Sequence, residues 1–370
     1  MAHKYIFAAD VTRTVSIIGV IGIHLVTQIS ERPDFFGGNL WWLTFLLNIL
    51  FRTGVPLFMM LSGYLVLGKT ESIQTNFSKI WARLLIPLTT FYTLYTVAAI
   101  YFANYRGLDY NYWDIFHHIS QNTQTSLYFL VVLAFIWVLN PVWNILTQKQ
   151  NLPIFEYTWR FFFVLSAFAG IFYYLSLRDG VAFNTFTYWI LWLAYYLYGY
   201  RVRLQESFLS HKQTIMYAAL FVGGFVATVI LDYFTVRSFN SGGSQLLIVG
   251  GQAYGNSYLS LSLMAMSFSL FQLLMRTRWL EALKRFTWLQ RSIAFIASLS
   301  FAMYLIHVLV MEVQRNFLSI SPDSPTMPGL WGFLFINAAI TFIGTAIVAW
   351  IWKQIPGLKI LIGESNRTKR

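Results

Sequence analysis

The sequence predicts an all-α integral membrane protein of about ten transmembrane helices, with both termini cytoplasmic. Three observations carry that prediction. Only 11% of the 370 residues are charged while 57% are hydrophobic, and the mean hydropathy is +0.57. A soluble domain carries about 25% charged residues, so lipid must replace water over most of this surface. Apolar runs long enough to span a bilayer recur along the whole chain, and the basic residues between them segregate to one side.

The apolar runs fall at 14–30, 41–67, 84–103, 127–147, 158–175, 185–200, 214–236, 255–275, 293–317 and 331–352. A hydrocarbon core needs about 20 helical residues to cross it. The second run is over-long and contains Gly54 and Pro56, which predicts a kinked, tilted or broken helix. With the N-terminus inside, twenty of the 26 Lys and Arg fall in inner segments, five fall in outer segments, and Arg52 alone lies mid-span. This separation is the positive-inside pattern of a ten-helix chain. It also accounts for the net charge of +12 without nucleic acid. One membrane domain over 1–355 and a basic tail over 356–370 follow, the tail suited to an anionic inner leaflet. The first run starts right after Asp10 and Arg13 with no small-residue cleavage site, so it reads as a retained helix. The absence of cysteine excludes disulfides, thiolate metal sites and a Cys nucleophile.

Ionisable residues inside spans point to function, because each costs about 2.5–3.5 kcal/mol at the bilayer centre on insertion scales. His24, Arg52, His307 and Glu312 are such residues, with Asp10 and Arg13 at the mouth of the first helix. Arg13 and His24 are eleven residues apart, about three turns, so they share a face with a rise of roughly 16 Å. Asp10 sits on the same face three residues before Arg13. Gly19 and Gly22 would admit another helix, or a narrow ligand, close to that face. An interfacial Arg binds phosphate through charge-assisted bonds, and a neutral imidazole at mid-depth takes a proton from a hydroxyl. That spacing suits an elongated donor with phosphate at one end and a reactive group at the other, as in acyl-coenzyme A. The bland alternatives are a structural His24 bonded between helices and a snorkelling Arg13. Arg52 would stabilise an oxyanion or an acceptor phosphate, or else form a structural pair with Glu312.

At these residues the chain resembles the membrane acyltransferase 3 family. The resemblance rests on Arg13-x10-His24, on FRTGVPLFMMLSGYL at 51–65 with Arg52 and Ser62-Gly63-Tyr64, and on KIWARLLIPL at 79–88. SLYFL at 126–130 and SFAMYLIH at 300–307 continue it, all in family order. The resemblance implies an acyl donor, usually acetyl-coenzyme A, entering from the cytoplasm, and transfer to a hydroxyl of a surface or lipid-linked glycan. It implies that His24 is catalytic, that Arg13 belongs to the donor site with Asp10 beside it, and that Lys79 and Arg83 help to hold donor phosphates. Arg52 joins His24 as a catalytic candidate, while Ser62, Tyr64, His307 and Glu312 are candidates for substrate binding. One departure is the basic loop, where the family commonly shows two arginines three apart and this chain has Lys79 and Arg83 four apart. Some members carry an extracellular Ser-hydrolase domain; this chain resembles the stand-alone members.

The expected setting is the cytoplasmic membrane, with lipid and a saccharide acceptor as partners, no metal, and a homo-oligomer left open. A transporter or flippase of lipid-linked glycans is the rival reading, because buried Arg and His also line substrate pathways; the lack of visible paired halves counts against it. Tyr105, Tyr110, Tyr112, Trp113, His117 and His118 in the 104–126 segment are either sugar contacts or an interfacial aromatic belt. The glycines of 238–255 carry no nucleotide fingerprint and read as a flexible outer loop.

Overall fold

A computed structural model of the chain describes residues 6–69, 71–105, 127–175, 185–205, 207–240, 248–249, 252–324 and 327–363. The aromatic segment 106–126, most of the glycine-containing loop and the last seven residues lie outside them. The described residues form helices α1 (Phe7–Ser30), α2 (Asn39–Phe51), α3 (Gly54–Val66), α4 (Ile73–Ile80) and α5 (Ile86–Tyr105). There follow α6 (Tyr128–Val138), α7 (Asn140–Leu146), α8 (Leu152–Leu175), α9 (Thr185–Arg203) and α10 (His211–Asn240). The chain ends with α11 (Leu261–Arg276), α12 (Arg278–Leu283), α13 (Thr287–Phe317), α14 (Gly329–Gln354) and α15 (Pro356–Leu361). Between α10 and α11 lie two paired two-residue strands, β1 (Ile248–Val249) and β2 (Gln252–Ala253), and a 3₁₀ turn over Tyr254–Asn256.

Eight helices among the described residues are long and apolar enough to cross a membrane, or nine if the bent pair α6–α7 is one span. Each apolar run of the sequence coincides with a helix or helix pair. The run at 185–200 coincides with α9, which falls below the apolar threshold because it carries Tyr188, Tyr195, Tyr196, Tyr198 and Tyr200 and ends in Arg201 and Arg203. α9 does without an apolar exterior because it is wrapped by other helices: every residue from Leu191 to Tyr198 is buried. Its polar groups find partners there, as backbone polar groups in a bilayer must. The Tyr195 hydroxyl donates to the Tyr258 carbonyl at 2.6 Å, and the Leu191 and Ala194 carbonyls accept from Ser166 and Trp159.

The chain divides into two compact units, Met1–Thr70 with Val142–Ser300, and Glu71–Pro141 with Phe301–Arg370. In the first unit, α1 packs against α2, α3 and α11, and α3 packs against α9. Two glycine contacts make these approaches possible. A Cβ on Gly19 would lie 2.7 Å from the Phe51 carbonyl oxygen, and one on Gly54 would lie 2.7 Å from that of Ser16. A Cβ on Gly63 or Gly199 would overlap the carbonyl of Tyr196 or Met60 on the facing helix. Thus Gly19 and Gly22 receive a helix. Their occupant is the break between α2 and α3, with the Phe51 ring over Gly22. The break at Arg52 and Thr53 was expected, and its cause is local. Pro56 has no N–H to give the carbonyl of Arg52 four residues back, and the turn there is left open. A cluster of Trp41, Phe45, Ile49, Leu263 and Met266 joins α2 to α11, with Val229 and Tyr233 of α10 against it.

The second unit holds α4, α5 and α6 with the C-terminal part of α13, α14 and α15. α4 and α5 are one continuous span interrupted by a π-helical turn at Trp81–Leu85. Asn76 donates to the Trp137 carbonyl at 2.8 Å, Tyr95 to that of Leu305 at 2.7 Å, and Gln314 to the Thr341 hydroxyl at 2.8 Å.

Candidate active site

α1 is buried over most of its length, and its partly accessible polar positions are Arg13, His24, Thr27 and Gln28. Residues 13, 24, 27 and 28 lie on one stripe at helical spacing. His24 is partly accessible although its chain neighbours Ile23 and Leu25 are buried. Thr27 and Gln28 turn their side chains back onto the His24 carbonyl at 3.4 and 3.1 Å. At the other end of the stripe, Arg13 Nη1 pairs with Asp10 Oδ1 at 3.0 Å. The side chain of Arg13 is 36% exposed, which leaves the rest of its guanidinium fork available.

Arg52 stands at the break between α2 and α3 and is buried. Its Nε donates to Asn48 Oδ1 at 3.1 Å, one turn earlier on α2. Its Nη2 pairs with Glu31 Oε1 at 3.2 Å. Asn48 donates in turn to the Ser30 hydroxyl at 3.1 Å, and the Trp41 indole holds the Ser30 carbonyl at 3.0 Å. The network therefore closes on two adjacent residues, Ser30 and Glu31, at the C-terminal end of α1. A guanidinium has five N–H donors, and Arg52 uses two of them on the described residues. Nη1 makes no hydrogen bond there. His24 lies within electrostatic reach of this guanidinium. The arrangement thus holds a fixed cation with open donors at membrane depth, in the same unit as His24.

The same unit brings in two residues that sequence reasoning did not single out. Glu31, rather than Glu312, is the ion-pair partner of Arg52; it lies just past the first apolar run, and nothing in the sequence marks it. Asp232 on α10 is fully buried and within electrostatic reach of Arg52. It lies inside the run 214–236, so the rule that selected His24 and Arg52 selects it as well.

Ser62 and Tyr64 sit on α3, eight and ten residues beyond Gly54 and so roughly 12–15 Å along the helix from the break. Nearby, Arg203 Nη1 donates to the Tyr64 carbonyl at 3.2 Å and to that of Leu67 at 2.8 Å. They belong to the Arg13 end of the unit, away from His24. Lys79, Arg83, His307 and Glu312 belong to the second unit. Lys79 pairs with Glu71. The π turn begins two residues after Lys79 and contains Arg83. Its i→i+5 bonding widens the helix there relative to an α-turn. His307 is buried with Nδ1 against the Tyr304 carbonyl at 2.7 Å, and the Glu312 carboxylate accepts from Asn316 at 3.0 Å.

In a comparison with protein families, the acyltransferase 3 model (an acyltransferase domain) matches residues 6–353. Comparisons with curated proteins and with solved structures give no match. The matched range takes in every described spanning helix and both units. By the extent of that match the chain belongs to the acyltransferase 3 family and is a multi-pass membrane acyltransferase.

Proposed function

We propose that the protein moves an acyl group, acetyl in the simplest case, from acyl-coenzyme A on the cytoplasmic side to a hydroxyl of a surface or lipid-linked glycan. The supporting observation is the stripe of partly accessible polar residues on α1, with His24 toward one end and Arg13 at the other. Family membership supplies acyl transfer; the stripe supplies the length for an elongated donor. Arg13, steadied by Asp10, would hold donor phosphate, and Lys79 and Arg83 would add charge at the same membrane surface. The thioester would then lie beside His24, which takes the hydroxyl proton as general base or carries the acyl group in a relay. The open donors of Arg52 suit the oxyanion that forms as the carbonyl is attacked. Both termini and the basic tail would face the donor side, in the cytoplasmic membrane. Ser62 and Tyr64 fit the donor end better than the acceptor end, by their place on α3. His307 and Glu312 remain acceptor-side candidates on sequence grounds.

The test uses purified protein in nanodiscs with labelled acetyl-coenzyme A and a lipid-linked glycan fraction. Wild type is expected to bind donor and to release thiol when glycan is present, and Arg13→Ala to bind donor at least tenfold more weakly. Donor affinity equal in wild type and Arg13→Ala would remove Arg13 from the donor site. Wild type that neither binds donor nor releases thiol would sink the proposal and favour transport of the glycan.

A further inference from the structure

The donor end of α1 is flanked by α11 and α13. The Thr12 hydroxyl contacts the Met275 sulfur of α11 at 3.4 Å, and the Thr14 hydroxyl donates to the Ile293 carbonyl of α13 at 3.3 Å. Arg13 stands between these two threonines, and all of these residues belong to the first unit. The connection from α11 to α13 therefore passes the N-terminal end of α1. Its short helix α12 packs against α1, and Lys284 Nζ lies 5.9 Å from the centre of the Phe7 ring.

Residues 276–291 contain five cations, Arg276, Arg278, Lys284, Arg285 and Arg291, and one acid, Glu281. Glu281 pairs with Lys284. Arg276 is taken up by the segment joining α9 to α10: its Nε donates to the Ser207 carbonyl at 3.0 Å, and its own carbonyl accepts from the Leu209 N–H at 2.9 Å. That segment presents Phe208 to Arg278, whose guanidinium lies 5.6 Å from the ring centre. Arg285 rests on Phe286 in the same way, at 4.8 Å. Both arginines are exposed, and neither guanidinium forms an ion pair or a hydrogen bond among the described residues. A guanidinium laid on a ring keeps its N–H edge open to a phosphate.

The order of groups along α1 says which phosphate this is. Outward from its thioester, acyl-coenzyme A carries the pantetheine arm, a diphosphate and then a ribose 3′-phosphate. The rise of roughly 16 Å from His24 to Arg13 takes the arm. Phe7 lies six residues before Arg13, roughly 9 Å further along the same axis. We infer that Arg278, Lys284 and Arg285 bind the ribose 3′-phosphate of the donor, beyond the diphosphate at Arg13. This rests on the reading of the α1 stripe as the donor site. A phosphate monoester carries close to two negative charges at neutral pH, so these cations would select coenzyme A thioesters over donors that end at the diphosphate.

Equilibrium binding of coenzyme A and of 3′-dephospho-coenzyme A to the full chain, in nanodiscs of zwitterionic lipid, tests the inference. Wild type is expected to bind coenzyme A about tenfold more tightly than the dephospho form, the worth of a charge-assisted contact. Arg278→Gln, Lys284→Gln and Arg285→Gln combined are expected to bring the two affinities within twofold, by weakening coenzyme A and leaving the dephospho form unchanged. Arg278→Gln alone, at an exposed side chain without a hydrogen bond, is expected to lower the ratio part of the way and serves if the triple variant does not fold. Arg13→Ala should weaken both ligands alike and keep the ratio. Equal affinities in wild type would show that the 3′-phosphate is not read. A tenfold ratio that survives the substitutions would assign these cations to the membrane surface instead. Either result overturns this inference and leaves the donor site at Arg13 standing, whereas wild type that binds neither ligand overturns both.

Discussion

A guanidinium in a spanning segment costs on the order of 2.5–3.5 kcal/mol on insertion scales, and Arg52 stays there because two side chains hold it. Asn48 reaches it from one turn earlier on α2, and Glu31 from the end of α1. The Asn48 contact was legible in the sequence, since residues four apart share a helix face. Glu31 belongs to a separate segment, and only the tertiary packing brings it to the guanidinium. If Arg52 stabilises an oxyanion, Arg52→Gln should lower kcat by about 10²–10³. Arg52→Lys should recover little, because an ammonium lacks the planar fork that bonds Asn48 and Glu31 while leaving Nη1 free. Recovery to near wild-type rate in Arg52→Lys would show that charge alone suffices. At the other end of the stripe, Asp10→Asn should weaken donor binding only modestly, as its ion pair with Arg13 is partly exposed.

At the scale of elements, glycine sets how closely the central helices approach. Gly63 and Gly199 interlock α3 with α9 so tightly that neither tolerates a Cβ, whereas Gly223 on α10 has nothing within 4 Å of such an atom. Gly199→Ala should therefore lower the unfolding midpoint clearly, by overpacking that costs about 1–3 kcal/mol. Gly223→Ala should leave it unchanged or raise it, since alanine favours a helix interior by about 1 kcal/mol over glycine. Equal midpoints for the two variants would contradict the packing. Spans were readable from hydropathy, and the break between α2 and α3 from Gly54 and Pro56, whereas the 57° bend between α6 and α7 was not. The helix α9 was readable as a span but not as a helix enclosed over Leu191–Tyr198, because tyrosine-rich sequence also suits a membrane interface. The π turn at Trp81–Leu85 left only an indirect trace, the spacing of four from Lys79 to Arg83 where the resembled family commonly shows three; no propensity marks a π turn.

For the whole molecule, the segregation of Lys and Arg sets a topology that the chain's own composition makes easy to test. With no native cysteine, a single introduced thiol reports its side without background. Gln148 and Asp34 are both exposed and lie between spans on opposite sides in the expected topology. In intact cells a membrane-impermeant maleimide should label Asp34→Cys and spare Gln148→Cys; labelling of Gln148→Cys alone would invert the orientation and move the donor side with it. The composition and charge pattern thus placed the chain in a membrane and ordered its helices. They could not group the polar residues into two units, because that grouping depends on which helices touch.

The most direct measurement is acyl transfer in His24→Ala beside wild type, in nanodiscs with labelled acetyl-coenzyme A and the glycan fraction. Loss of a general base lowers rate by about 10²–10⁴, so transfer should fall at least a hundredfold while donor affinity and the unfolding midpoint stay close to wild type. Transfer in His24→Ala within a few-fold of wild type would contradict the account, because the His24 imidazole would then not be the reacting centre.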